Sequence, residues 1–169
     1  RRRQRRRRQR RGRSVGGGEG ASDVSGDVYQ FGVYKGGSLR YLDARVDNRT
    51  TFWAFDSFRG LPASEESPAR PVPGLHVWRE GEYAADPRAQ LARHFKRNVF
   101  FVEGYYNASL TPGLSRACGM NVASYVDLDV DLFPSTVEAL DFLLLEGLVL
   151  PGTLIGLDDL WVYACCLKT

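Results

Sequence analysis

The chain of 169 residues is poor in cysteine, histidine and long apolar runs, and each shortage excludes a class of protein. Its three cysteines, Cys118, Cys165 and Cys166, form neither a CxxC pair nor an even disulfide framework. This predicts free thiols in a reducing compartment. No apolar run reaches the roughly 18 residues of a membrane span, and the N-terminus lacks the apolar segment of a secretory signal. We therefore expect a cytoplasmic protein without a transmembrane segment.

Two phosphate-binding fingerprints are also missing. No predicted strand is followed by GxGxxG, which argues against an NAD-dependent oxidoreductase, and no GxxxxGK[ST] loop is present. The two histidines, His76 and His94, show no metal-ligand spacing. A nucleotide bound through its pyrophosphate and a histidine metal centre are therefore not expected.

The net charge of +3 hides two regions of opposite sign. Ten arginines lie within Arg1–Arg13, and without them 13 basic residues face 20 acidic ones, so residues 14–169 carry about −7. This low-complexity composition predicts a disordered Arg/Gly-rich tail over residues 1–26. Such a tail could contact nucleic-acid phosphates, or it could be a solvated extension without a selected role. Nucleic acid is thus a candidate partner only through Arg1–Arg13.

From Asp27 onward, predicted strands alternate with predicted helices. The strands are expected at 28–33, 51–55, 98–103, 122–129 and 153–157, with helices at 110–118 and, with the strongest signals, at 134–150. The last helix has Pro134 at its start, with Ser135 and Glu138 spaced as a capping box. Alternation of this kind is typical of a parallel sheet with helices on both faces. We expect one α/β domain over residues 27–169.

Three aspartates alternate with apolar residues in the segment 126–136. Asp127, Asp129 and Asp131 occupy every second position, which predicts a strand with all three carboxylates on one side. Like charges in such a row repel one another. The pattern therefore favours a site that binds a cation or a cationic ligand.

Other unusual residues follow the remaining predicted strands, where ligands bind in parallel sheets. They are the Gly36-Gly37 turn, Asp56, Gly104, Asp129 with Asp131, and Asp158 with Asp159. A glycine turn before a helix lets a ligand approach backbone N–H groups. Asp56 lies 24 positions beyond Gly32, a spacing that suits a carboxylate bonded to ribose hydroxyls. Together these features favour a nucleoside cofactor without a pyrophosphate, such as S-adenosylmethionine.

Five segments resemble one known family in content and order. They are FGVYKGGS at 31–38, FDSFRGLP at 55–62, VFFVEG at 99–104, DVDLFPST at 129–136, and GTLI at 152–155 followed by Asp158-Asp159. These look like the macrocin O-methyltransferase family of class I S-adenosylmethionine-dependent enzymes, with the resemblance covering about residues 29–161. It implies a Rossmann-like, doubly wound, mainly parallel sheet. That sheet would be truncated after the fifth strand, because the complete fold has seven.

The resemblance also implies roles for individual residues. Asp129, Asp158 and Asp159 would bind Mg²⁺, Asp131 would be the general base, Asp56 would hold the ribose, and Gly32, Gly36, Gly37 and Ser38 would shape the cofactor turn. Asp127 has no assigned role, and many members carry Glu in place of Gln30. In this chemistry the enzyme aligns the acceptor oxygen with a sulfonium methyl group and removes the acceptor proton, with help from the metal.

The expected function is therefore transfer of a methyl group from S-adenosylmethionine, assisted by Mg²⁺, to a hydroxyl of a sugar-like or phenolic small molecule. Two alternatives stay open. One is a truncated or inactive methyltransferase-like binding module. The other is a nucleic-acid-associated protein that acts through its Arg-rich tail.

Overall fold

The computed structural model describes residues 25–63, 77–95 and 98–158. Its strands are β1 (Asp27–Phe31), β2 (Phe52–Asp56), β3 (Val99–Glu103), β4 (Ala123–Leu128) and β5 (Leu154–Leu157). Its helices are α1 (Gly37–Asp43), α2 (Arg88–His94), α3 (Tyr106–Ser109), α4 (Leu114–Cys118) and α5 (Phe133–Leu145). Most of the predicted tail, residues 1–24, lies outside these ranges.

All five strands run parallel in one sheet, in the order β3-β2-β1-β4-β5. Chain order therefore reverses between β1 and β4, where Gln30 lies opposite Asp127 in register. In a doubly wound sheet such a reversal opens a crevice above the carboxyl ends of the strands. This confirms the predicted Rossmann-like, mainly parallel α/β sheet.

The sheet carries a separate apolar cluster on each face. On one face, Leu39 of α1 and Leu91 of α2 cover the strands. On the other face, Phe142 and Leu143 of α5 pack against Phe31 and its neighbours. Every residue of β1 is buried as a result, which explains why the central strands are rich in apolar residues on both faces.

Two helices differ from their predicted lengths. α5 ends at Leu145 instead of residue 150, because Gly147 adopts φ 68° and the N–H of Leu148 donates to the Leu143 carbonyl at 2.9 Å. A glycine in the left-handed conformation is a common helix terminator. Gly147 precedes Pro151, which the sequence prediction took as the end of the helix. Of the predicted helix at 110–118, only residues 114–118 are helical, as α4; α3 ends at Ser109, before the predicted start, and Pro112 lies between the two helices. Across the described ranges, none of the helices combines the length and hydrophobicity that crossing a bilayer requires.

At the amino end of β1, a buried carboxylate has a structural role. Asp27 is 5% exposed and accepts hydrogen bonds from the indole N–H of Trp53 at 2.9 Å and the backbone N–H of Asn121 at 3.1 Å. These bonds join β1 to β2 and to the segment that leads into β4. A buried carboxylate with such partners contributes to the fold, and it lies at the opposite end of the strand from the crevice.

Candidate functional site

A cleft of about 660 Å³ opens above the carboxyl ends of the strands. Its lining includes the loop after β2, several aromatic side chains, and the first residues of α3 and α5. Its lining at the strand ends comprises Gly32, Asp56, Gly104, Asp129, Asp131 and Asp158. The structure thus brings together predicted site residues that follow all five strands.

The three alternating aspartates do not form one cluster. Asp129 and Asp131 line the cleft together with Asp158 from the end of β5, whereas Asp127 lines a different cavity. β4 ends at Leu128, so the later two aspartates lie beyond the strand. There the chain turns, and Asp131 adopts a φ of 61°. A non-glycine residue in this left-handed region is uncommon and often marks a functional position.

Asp56 is engaged by the backbone of two loops. Its Oδ2 accepts hydrogen bonds from the N–H groups of Val33 at 2.7 Å and Tyr34 at 3.0 Å. Its Oδ1 accepts one from the N–H of Phe58 at 2.7 Å. The carboxylate therefore joins the turn after β1 to the loop after β2, in addition to facing the cleft.

Gly32 lets the ends of β1 and β4 approach each other. It has a φ of 84°, and a Cβ at this position would lie 1.8 Å from the carbonyl oxygen of Asp129. No other residue fits such a contact without a backbone shift. Gly32 is therefore required for the shape of the cleft floor.

The other predicted residues of the glycine turn lie away from the cleft lining. A Cβ on Gly36, at φ 73°, would meet the Leu91 side chain at 2.6 Å, so this glycine allows the turn before α1 to pack against α2. Gly37 and Ser38 line the second cavity together with Asp127. The described cleft therefore contains Gly32 but not Gly36, Gly37 or Ser38.

The second cavity, of about 360 Å³, lies beside α1. Burial raises the pKa of the Asp127 carboxyl above its usual value, and the hydroxyl of Tyr125, which donates to Asp127 Oδ1 at 3.3 Å, opposes that rise. Gly156 leaves the space for this contact, because a Cβ there would lie 2.5 Å from the Tyr125 hydroxyl. Asp127, to which the resemblance assigned no role, is therefore hydrogen-bonded to a tyrosine beside the second cavity.

An aromatic group on one wall of the cleft was not predicted from the sequence. Tyr34 and Tyr83 pack edge to face with ring centroids 5.4 Å apart, and Trp78 lies 6.2 Å from Tyr83. All three line the cleft, and the Lys35 ammonium lies 4.8 Å from the Tyr34 ring centroid. Tyr34 lies within the glycine turn, so the sequence offered a signal for this residue. Trp78 and Tyr83 come from a loop without regular structure, for which the sequence offers no such signal.

The cleft lining contains two further residues, Tyr106 and Glu138, to which the sequence assigned no role in the site. The Tyr106 hydroxyl donates to the Phe55 carbonyl at 3.2 Å, and burial followed by the Asp56 charge raises its pKa well above the usual value. Glu138 also lines the cleft; burial raises its pKa, while a hydrogen bond from the Asn107 N–H opposes the rise. The predicted capping box is wrong, since α5 has Leu132 as its N-cap and no side-chain cap bond.

The residues around the glycine turn fit a ligand that carries a hydrogen-bond donor. Gln30 Nε2 donates to the Gly32 carbonyl at 3.0 Å, while Gln30 Oε1 is buried without a partner, a situation unique among the described side chains. A buried acceptor without a donor costs about 1–3 kcal/mol. The ammonium group of S-adenosylmethionine is a donor of the required kind.

The same residues do not make a metal centre on their own. Within the described ranges, no group of three His, Cys, Asp or Glu side chains is arranged to hold a metal ion. Asp129 and Asp158 line the cleft, but Asp159 lies outside the described residues. The implied Mg²⁺ therefore stays a prediction from the resemblance.

Similar proteins are methyltransferases of natural-product biosynthesis. The 8-demethyl-8-(2,3-dimethoxy-alpha-L-rhamnosyl)-tetracenomycin-C 4'-O-methyltransferase of Streptomyces olivaceus is 28% identical over 155 residues, or 86% of this chain and 57% of the relative. The crystal structure of CalS11, a calicheamicin methyltransferase, matches with a TM-score of 0.64 and 21% identity, over 82% of this chain and 59% of that one. An apo structure of CalS11, a TDP-rhamnose 3'-O-methyltransferase, matches with a TM-score of 0.51 and 20% identity, over 79% and 55%.

The two structural matches show a shared fold, and the chain spans a little over half the length of the relatives it matches. The sequence profile of the macrocin O-methyltransferase (TylF) family matches residues 17–169, which is most of the chain. That range contains every strand and helix described above. The chain belongs to the macrocin O-methyltransferase family.

Proposed function

We propose that this chain forms the cofactor-binding and catalytic part of an S-adenosylmethionine-dependent O-methyltransferase. The observation that carries the proposal is the cleft, in which Gly32, Asp56 and Asp131 meet at the reversal of strand order. A family of O-methyltransferases supplies the reaction type. The relative's rhamnosyl substrate supports a sugar hydroxyl as the acceptor, with a phenolic hydroxyl as the second choice.

The residues on the β1 and β2 side of the cleft suit the cofactor. Gly32 and Tyr34 would border it, and Asp56 would bond one ribose hydroxyl. Gln30, which is not part of the described cleft lining, would accept a hydrogen bond from the ammonium group through its buried Oε1. Carboxylate and amide oxygens match a ligand that is cationic and rich in donors. When bound, S-adenosylmethionine would supply an electrophilic methyl group on its sulfonium.

Asp131 is proposed to remove the proton of the acceptor hydroxyl. A neutral hydroxyl is a poor nucleophile, and a positioned carboxylate can take its proton as the new bond forms. Asp131 lines the cleft on the β4 side, away from the proposed ribose contact at Asp56. The acceptor would therefore lie on the β4–β5 side, where Asp129 and Asp158 add negative charge.

The decisive experiment compares Asp131→Asn with Asp127→Asn. Asparagine tolerates the left-handed backbone that Asp131 adopts, so the variant should fold and bind S-adenosylhomocysteine normally. We expect its methyl transfer to fall by roughly 10²–10⁴-fold. Asp127→Asn is the matched control, because Asp127 lies on the same segment but lines the other cavity, and it should keep most of the activity.

Methyl transfer would be measured with labelled S-adenosylmethionine and two acceptors, the rhamnosyl tetracenomycin of the relative and a catechol. Binding of S-adenosylhomocysteine would be measured by calorimetry. Absence of binding would contradict the proposed function, and binding without turnover on any acceptor would favour the inactive binding module. A run in EDTA tests the Mg²⁺ prediction, since full activity there would exclude a metal-assisted reaction.

A further inference from the structure

The carboxylate of Asp56 bonds to donors from two separate loops, and each loop uses a different oxygen. The N–H groups of Val33 and Tyr34, in the turn after β1, donate to Oδ2. The N–H of Phe58, in the loop after β2, donates to Oδ1. Hydrogen bonds to an ionised carboxylate are stronger than those between neutral groups. Asp56 is therefore the point at which the two loops are joined.

Two of the three donors have unfavourable backbone angles. Tyr34 has a φ of 47° and Phe58 a φ of 57°. A residue with a side chain rarely occupies this left-handed region, and it stays there only when the surroundings fix it. In both residues, the backbone N–H group donates a hydrogen bond to the Asp56 carboxylate. The strain in each loop thus coincides with a bond to the same carboxylate.

The bonding also limits what else Asp56 can do. A carboxylate offers about four acceptor positions, and the backbone takes three of them. At most one remains for a ribose, so Asp56 cannot accept hydrogen bonds from both hydroxyls while keeping its backbone partners. Asp56 thus accepts three hydrogen bonds from the backbone, but it can accept at most one from a ribose.

We propose that Asp56 is a positioning residue that holds the turn after β1 and the loop after β2 in the cofactor-ready shape before any ligand binds. Ser57 supports the same loop, because its hydroxyl donates to the Gly60 carbonyl at 2.9 Å and accepts from the Arg59 N–H at 3.0 Å. The identity of the cofactor rests on the proposed function, whereas the positioning by Asp56 concerns the ligand-free chain and can be tested without a ligand.

Asparagine at this position separates positioning from ribose binding. An amide has one acceptor oxygen and one donor NH₂, so in either orientation the NH₂ faces the N–H groups of one loop. A ribose hydroxyl can both donate and accept, so an asparagine could still bond to it. Asp56→Asn should therefore disturb the loops more than a role limited to the ribose predicts.

The first test is site-resolved amide hydrogen exchange by NMR on the ligand-free full chain. We expect the amides of Val33, Tyr34 and Phe58 to exchange at least 10-fold faster in Asp56→Asn, with the β-sheet amides unchanged. The matched control is Asp47→Asn, because Asp47 also accepts a backbone N–H, from Arg49 at 2.8 Å, on an exposed segment. The control should change exchange only near Arg49. Wild-type exchange rates for all three cleft amides in Asp56→Asn would overturn the inference.

A second test uses two ligands, S-adenosylhomocysteine and its 2′,3′-dideoxy analogue, measured by calorimetry. Loss of positioning should weaken both ligands by a similar factor, of 10-fold or more, in Asp56→Asn. Weaker S-adenosylhomocysteine with unchanged analogue affinity would overturn the inference in favour of a pure ribose ligand. If the wild type binds neither ligand, the proposed function fails, and the exchange experiment still decides the role of Asp56.

The wild-type chain provides a measurement for the case in which Asp56→Asn does not fold. Positioning by Asp56 requires that the amides of Val33, Tyr34 and Phe58 are protected from exchange without ligand, more strongly than that of Arg49. Exchange of all three at the rate of an open loop would overturn the inference without any substitution.

Discussion

Gly32 and Gly37 lie five positions apart in the same turn, yet their surroundings differ completely. A Cβ on Gly32 would lie 1.8 Å from the Asp129 carbonyl oxygen, and the residue has a φ of 84°. A Cβ on Gly37 would meet nothing within 4 Å, and its backbone angle is ordinary. The backbone conformation and packing therefore require glycine at position 32 but not at position 37, although both residues belong to one sequence motif.

This difference predicts opposite effects of alanine. Gly32→Ala should lower the free energy of unfolding by about 2–4 kcal/mol, because it combines a strained φ with an overpacked contact. Gly37→Ala should leave it unchanged or raise it by up to about 1 kcal/mol, since alanine favours a helix. Urea unfolding of both variants provides the measurement. Equal losses in the two variants would contradict the described turn.

The residue types of the candidate site were easier to predict than the cavity that each side chain borders. The aspartates at the strand ends follow from alternation and from the family resemblance, and Asp129, Asp131 and Asp158 do line one cleft. Asp127 fits the same pattern but borders the other cavity, because the period of two stops where the strand stops. The aromatic wall depends on loop conformation, for which no sequence period exists.

Among the elements, α5 supports the shorter helices that precede it. Glu138 near its start accepts a hydrogen bond from the Asn107 N–H, in the first turn of α3. Glu146 at its end accepts from the Gly113 N–H at 2.8 Å and from the N–H and hydroxyl of Ser115 at the start of α4. A carboxylate at a helix N-terminus satisfies donors that the helix itself leaves free. The two glutamates thus fix α3 and α4 to α5.

The contribution of Glu146 should depend on pH. The Ser115 hydroxyl and the Gly113 N–H lower the pKa of the Glu146 carboxyl in the folded state. A lowered folded pKa stabilises the protein above the unfolded value of about 4.3, and this stabilisation is lost as the pH falls through the folded pKa. Glu146→Gln should therefore lower the Tm at pH 7, and the difference from wild type should shrink below about pH 4.

Thermal unfolding followed by circular dichroism at several pH values measures this difference. Asp141→Asn is the matched control, because Asp141 is exposed on the same helix. It should show no comparable gap that closes in acid. A Glu146→Gln gap that is constant from pH 7 to pH 3 would mean that packing, and not the charge, links α5 to α4.

The order of strands and helices was predictable, and their ends were less so. Alternating apolar runs indicate strands whose register the hydrophobic faces enforce, so all five appear close to the expected positions. Helix ends depend on single backbone angles, such as the φ of 68° at Gly147. The sequence does not distinguish a glycine with this angle from one inside a helix. As a result, α5 ends five residues before its predicted end.

For the molecule as a whole, the described fold places the candidate chemistry at one edge of the sheet, while ten of the 23 basic residues lie within Arg1–Arg13. The cleft is lined by Asp56, Asp129, Asp131, Glu138 and Asp158. An acidic cleft attracts a cationic ligand such as a sulfonium and disfavours a nucleic-acid backbone. Any nucleic-acid binding should therefore depend on Arg1–Arg13, which leaves that alternative open to a direct test.

Deleting residues 1–13 removes ten arginines and changes the formal net charge from +3 to −7. The full chain should bind a DNA duplex with an affinity that falls steeply with salt, at roughly 0.9 logarithmic units per phosphate contact for each tenfold change. The shortened chain should lose that binding and keep its affinity for S-adenosylhomocysteine. Retained DNA affinity would assign nucleic-acid binding to the domain. Lost ligand affinity would mean that the arginines contribute to the cofactor site.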